Sequence, residues 1–172
     1  MRQSPRTVAS DPEMADDVHA ALTKALATGT PARVFRRGVA SAAACEAAAK
    51  AVERATGTPC KVEIEHCFNI TSTALGDEAG DAASALRWLL AETFAPEDLR
   101  ASSPSCTVEV GPRPAFASAW SSTAVLVAEA CGAKGLQRVE RSRRYFITPA
   151  VDVKKASEAL HDRMTECVYD GT

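Results

Sequence analysis

Lys61-Val-Glu-Ile-Glu-His-Cys-Phe-Asn-Ile70 is the stretch on which the fold turns. Side chains of an extended chain point alternately to opposite faces. Val62, Ile64, His66, Phe68 and Ile70 therefore share one face, and Lys61, Glu63, Glu65, Cys67 and Asn69 share the other. One apolar and one polar face predict a half-buried strand. Gln137 to Ile147 reads as a second long strand with a polar face. Strands of a doubly wound parallel sheet, the competing architecture, are usually apolar on both faces.

The flanking segments alternate helix and strand. Asp11-Pro12 opens a helix whose stripe is Met14, Val18, Leu22 and Leu26, ended by Gly29 and Pro31. Ala32 to Arg37 is a short strand, and Ser41 opens an alanine-rich helix that closes at Thr56-Gly57. Asp81 starts a helix with Leu86, Leu89, Leu90 and Phe94 inward, stopped by Pro96. Residues 97–105 read as a loop and Cys106 to Val110 as a strand. Ser118 caps a helix with Trp120, Ala124, Val127, Ala128 and Cys131 on one side. Asp152 caps a last helix with Val153, Ala156, Leu160, Met164 and Cys167 inward.

The expected fold is α+β: a four-stranded, mainly antiparallel sheet with helices packed on one face, a ferredoxin-like sandwich. The expected organisation is an extension with one amphipathic helix (1–30), the sheet domain (31–150) and a C-terminal helix (151–172).

With 172 residues and 46% hydrophobic composition the chain can bury one core. Alanine supplies much of that fraction and aromatics only 5%, so Phe68, Trp88, Phe94 and Trp120 are the expected anchors. Twenty basic against twenty-two acidic residues give no bulk charge for binding nucleic acid, and no apolar run is long enough to span a bilayer. The six cysteines are scattered, without CxxC or zinc spacing, and read as reduced thiols. Residues 1–10 are basic and hydroxylated, either an ordinary disordered start or the end of a transit peptide.

Phosphate-cradling glycine loops and nucleophile elbows are absent from the sequence, and no catalytic, cofactor-binding or metal-binding residue is expected. His66, on the apolar face of its strand, reads as a satisfied core histidine. The candidate contact residues are cationic or hydroxylic. Lys134, Arg138, Arg141, Arg143 and Arg144 face Glu140 alone within residues 134–144. On a strand Arg141 and Arg143 share one face, and Arg138 and Arg144 the other. A solvated face, ion pairing with another domain, and a field near a phosphate are the three readings. Ser121 and Ser122 sit in the first turn of a helix, where capping competes with anion contact. Arg113, His161 and Arg163 complete the set, the last two on an expected docking helix.

Three stretches, in this order and spacing, resemble a known family: Glu109-Val-Gly-Pro-Arg113 with Ala119-Trp-Ser-Ser122, Val139-Glu-Arg-Ser-Arg-Arg-Tyr145, and His161-Asp-Arg-Met-Thr-Glu-Cys-Val-Tyr169. Cys67-Phe-Asn-Ile70 and Arg87-Trp-Leu-Leu-Ala-Glu-Thr-Phe94 add to it. The chain resembles the N-terminal, PurS-like domain of large formylglycinamide ribonucleotide amidotransferases, over residues 32–169. Ala119-Trp120 and Ala95-Pro-Glu-Asp-Leu99 look most like the plant-type branch. Thr123 departs from the asparagine or lysine common there, so no polar role is carried to it.

The resemblance implies a fused dimer of the small PurS subunit, packed on the synthetase and glutaminase domains of the same chain. The whole enzyme would convert formylglycinamide ribonucleotide, glutamine and ATP to the amidine, with ATP and Mg2+ held outside this domain. It implies a cytoplasmic location, or a plastid for the plant-type branch. A stand-alone PurS-like subunit serving a separate synthetase, and a small anion-binding regulatory domain, are the alternatives.

Overall fold

The computed structural model describes residues 12–169. The basic start at 1–10 and the side chain of Met14 lie outside the described residues. Eleven elements follow one another: α1 (Pro12–Thr28), β1 (Ala32–Arg36), α2 (Ala42–Thr56), β2 (Lys61–Ser72), α3 (Ala79–Leu90), β3 (Leu99–Arg100), β4 (Val108–Pro112), α4 (Ala119–Ala130), β5 (Leu136–Thr148), α5 (Val153–Leu160) and β6 (Glu166–Val168). Local chemistry fixes the helix ends. Ser41, Ser118 and Asp152 accept from the backbone N–H three residues on, at 3.2, 3.0 and 3.1 Å. Gly57 closes α2 at φ 75°, a conformation that favours glycine.

The strands form one antiparallel sheet in the order β3-β1-β2-β5-β4-β6. The class is α+β as expected, but the sheet has six strands rather than four. The two additions, β3 and β6, lie in the expected loop and the expected final helix. Strands of two or three residues are too short to display a period of two.

The topology is a repeat. β1-α2-β2-α3-β3 is followed by β4-α4-β5-α5-β6, and the sheet order maps one unit onto the other about the central β2–β5 pair. α2 packs on α5, and α3 approaches α4, so each helix pair takes one helix from each unit. α1 stands outside the repeat and packs on α3.

Both helix pairs lie on the same, front, face of the sheet. Phe68 and Ile70 of β2 join Val34, Val139, Leu86, Val18, Leu22 and Leu26 in one core. Val62 of β2 joins Val108, Val110, Tyr145 and Ile147, with Val52 of α2 and Leu160 of α5, in the other. These are the even-numbered positions of β2, the face read as apolar.

The anchors differ from expectation. Phe68 is buried, but Trp88 and Phe94 are 73% and 93% exposed. α3 stops at Leu90, so Phe94 falls beyond the helix whose face it was expected to extend. α5 likewise stops at Leu160, leaving Met164 exposed, and Val153, in its first turn, is exposed as well. The carboxylate of Asp162 accepts from Met164 N–H at 2.8 Å and Thr165 Oγ at 3.0 Å. Such local bonds compete with helix continuation, so His161 to Thr165 form a turn instead of a docking helix.

Leu22 is fully buried under α3 and the sheet. Leu22→Ala is expected to cost about 2–5 kcal/mol, read as a lowered midpoint in thermal or urea unfolding. An unchanged midpoint would remove α1 from the core.

Candidate functional site

The two faces of the central strands carry charge in opposite ways. On the back face, away from the helices, β-pairing sets Glu65 opposite Arg144 and Arg144 opposite Glu109. Arg144 Nη1 donates to Glu65 at 2.6 Å, and its Nε lies 3.5 Å from Glu109. Arg33 Nη2 donates to both Glu109 oxygens at 2.8 and 2.6 Å, and Ser142 Oγ donates to Glu109 at 2.6 Å. The loop ahead of β4 closes the top: Ser103 Oγ donates to Glu65, and Arg144 donates to the Pro104 carbonyl, both at 2.7 Å.

This corrects the expectation of a polar, half-exposed face. Glu65, Cys67, Glu109, Ser142 and Arg144 are all buried. Opposite charges directly across neighbouring strands neutralise one another where no helix covers them, although Glu65 Oε1 and Arg144 Nε are left without a hydrogen bond. Burial pushes the Cys67 thiol up to about 11, against the pull of Arg33, so it stays protonated at neutral pH and is no nucleophile.

On the front face the balance is uneven. Arg36, His66 and Arg143 lie in one row across β1, β2 and β5, and Arg141 faces Phe68 in the next. Here β2 passes from one core to the other, leaving a cleft of about 270 Å³ lined by His66, Pro112, Trp120, Arg141, Arg143 and Glu166, with Ser118 at its edge. Trp120 stacks on Phe68 at 5.9 Å, and the Arg141 guanidinium lies 5.1 Å above Trp120.

Arg143 pairs with Glu166 at 2.5 Å, and Arg36 donates to the Leu90 carbonyl at 3.0 Å. Arg141 takes part in no ion pair among the described residues. His66 Nδ1 is buried without a hydrogen bond, which corrects its reading as a satisfied core histidine. Burial first, then Arg141, Arg36 and Arg143, hold the imidazole down at about 4. The same crowding, after burial, lowers Arg141.

The expected contact residues therefore separate. Arg141 and Arg143 meet in the cleft, whereas Arg144 is buried on the back face. Ser121 is buried and accepts from Val139 N–H at 3.3 Å, while Ser122 donates to the Ser118 carbonyl at 3.3 Å. Both hydroxyls are spent on structure. Arg113 donates to the Arg163 carbonyl at the surface, and Arg163 lies 3.7 Å from Glu158. His161 donates through Nδ1 to the Ser157 carbonyl at 2.5 Å. Arg36 and His66 were missed as site residues. Their signal is shared strand parity, which becomes informative only once the β1–β2–β5 register is known. Among the described residues no group of three or more His, Cys, Asp or Glu is placed to hold a metal ion, and no helix is long and apolar enough to cross a membrane.

Glu109→Gln removes the charge shared by Arg33 and Arg144 and is expected to destabilise by about 3 kcal/mol. Glu63→Gln, at an exposed position of the same face, should stay within about 0.5 kcal/mol; equal effects in urea unfolding would deny the network its role. For His66, the unfolded chain takes up a proton between about pH 6.5 and 4 that the native chain refuses, so stability falls as pH falls through that window. His66→Gln should abolish on the order of 1 kcal/mol of that loss by about pH 5, partial exposure of the ring screening the rest. Parallel acid slopes for the two proteins would show that the ring is not held neutral.

The formylglycinamide ribonucleotide amidotransferase N-terminal family matches residues 65–172. The chain is 41% identical over 121 residues to the "Probable phosphoribosylformylglycinamidine synthase, chloroplastic/mitochondrial" of Arabidopsis thaliana, covering 61% of this chain and 8% of that protein. It is 32% identical over 124 residues to the phosphoribosylformylglycinamidine synthase of Dictyostelium discoideum, covering 63% and 9%. With the Homo sapiens phosphoribosylformylglycinamidine synthase it shares 36% identity over 116 residues, covering 61% and 9%. The chain spans less than a tenth of the length of these relatives. With that match over more than half its residues, the chain belongs to the formylglycinamide ribonucleotide amidotransferase N-terminal family.

Proposed function

We propose that the chain is the N-terminal docking and coupling domain of a phosphoribosylformylglycinamidine synthase. In that enzyme, formylglycinamide ribonucleotide, glutamine and ATP would yield the amidine of purine synthesis. The observation that carries the reading is the family match over residues 65–172, shared with relatives named for that synthase. ATP, Mg2+ and the glutaminase chemistry would belong to the rest of the enzyme.

The docking surface follows from exposure. β5 is paired on both edges, so the basic strand can offer only side chains. Large apolar residues left in water include Trp88 on α3, Phe94 just beyond it, Leu126 on α4 and Met164 after α5, at 73%, 93%, 67% and 83% exposure. Exposed apolar groups favour a partner surface, and relatives more than ten times the matched length would supply one. The occupant is therefore the synthetase portion of the same enzyme. The Arabidopsis relative is named chloroplastic/mitochondrial, which supports an organelle such as the plastid over the cytoplasm as the place where this chain works.

The test is complementation in trans. The Arabidopsis relative with its matched segment removed should regain glutamine-dependent amidine formation when this chain is added. Phe94→Ala and Trp88→Ala should each weaken that rescue by about tenfold while leaving the melting temperature of the chain unchanged. A folded remainder that gains nothing from the wild-type chain rejects the docking role.

A further inference from the structure

The front cleft holds a charge arrangement that the fold does not need. Arg141 is exposed, lies over Trp120 and has no carboxylate partner among the described residues, while Arg143 pairs with Glu166. Arg36 adds a third guanidinium from β1, across His66, with only a neutral carbonyl as partner. Three cations thus face one carboxylate, and the group between them, His66, keeps its buried Nδ1 unbonded. Like charges gathered on neighbouring strands destabilise a sheet unless something neutralises them. On the back face Arg33 and Arg144 are both paired with carboxylates, whereas in front, among the described residues, Arg143 alone is paired and Arg36 and Arg141 are not.

We propose that this cleft is a binding site for a dianionic phosphate group, held by Arg141 and Arg143. Arg141 and Arg143 against Glu166 leave one positive charge in the cleft lining, and Arg36 behind His66 brings the local excess to two, which matches a phosphate dianion. Guanidinium forks suit its oxygens geometrically. A volume of about 270 Å³ takes the phosphate with a small attached group, and the Trp120 ring and Pro112 give that group apolar walls. Arg36 contributes field from behind His66, and a bound anion offsets the three positive charges that add to burial in keeping the imidazole neutral. The charged groups facing His66 are Arg36 from β1 and Arg141 and Arg143 from β5, with Glu166 of β6 reaching it through Arg143. This inference does not rest on the docking role, and the two tests can fail separately.

Trp120 reports on the site directly. The chain has two tryptophans, and Trp88 is exposed, so Trp88→Phe leaves Trp120 as the one indole without disturbing the core. Its emission is followed as inorganic phosphate or ribose 5-phosphate is added near neutral pH, against sodium chloride at matched ionic strength. A saturable change with either phosphate and none with chloride is expected. Tighter binding of the ester identifies an esterified ligand, and equal or tighter binding of the inorganic ion identifies free phosphate. Arg141→Gln should weaken binding by about tenfold or more. Glu166→Gln, which frees Arg143 and removes the competing carboxylate, should strengthen it. In NMR, sulfate, which stays dianionic in mild acid, should raise the pH midpoint of the His66 ring protons. A response no different from chloride overturns the proposal, as does a saturable response undiminished in both Arg141→Gln and Arg143→Gln.

Discussion

Arg144, buried between Glu65 and Glu109, is the contact on which the sheet depends. Every helix lies on the front, so the back of β2, β5 and β4 must be closed by its own side chains. Arg144 does this three ways. It pairs with the two carboxylates, caps the loop at Pro104, and lies 4.7 Å from the Phe35 ring centre. A buried ion pair adds little net stability against an apolar substitute. What it adds here is register. Sliding β5 by one residue would turn Arg144 into the apolar front core and place Tyr145 against Glu65, which every term in the balance opposes.

That register also determines the front. The β2–β5 pair is the axis of the repeat, and its two long strands run beneath both helix pairs. Each pair takes one helix from each unit, so neither unit can bury its apolar face alone. Where the two cores meet, neither pair covers the sheet. The cleft is therefore a consequence of the doubled topology and not of a local loop. Its His66, Arg141 and Arg143 come from the middle of strands, which are better fixed than loop positions.

The sequence was most legible where one period ruled over many residues. Alternation in Lys61 to Ile70 fixed the strand and assigned its front face correctly. The parity of Arg141 and Arg143 against Arg138 and Arg144 could be read the same way. What failed was the fate of the back face, because Glu65 finds Arg144 79 residues on and Arg33 finds Glu109 76 residues on. Charges read singly look solvated, and only the pairing buries them. Phe94 and Met164 failed for a local reason: each extends an apolar stripe past the point where the backbone leaves the helix. β3 and β6 were too short to carry any period. His66 was placed on the correct face, but its polar surroundings come from three strands at once and leave no trace in its own neighbourhood.

Arg143 and Arg144 are adjacent in sequence, and that adjacency separates the structural from the functional use of charge. Both are arginines on the same paired strand, and only the pleat distinguishes them. The one turned back meets two carboxylates and a carbonyl. The one turned forward meets a single carboxylate and stands beside a further arginine that has none. If the basic stretch of β5 served only solubility, its cations would have no cause to crowd one cleft, where mutual repulsion penalises them. If it served only packing, a second acid on β4 or β6 would neutralise them as Glu109 does behind. The asymmetry is retained inside one strand, at one register. It is most simply accounted for by a negative charge that this chain does not itself provide.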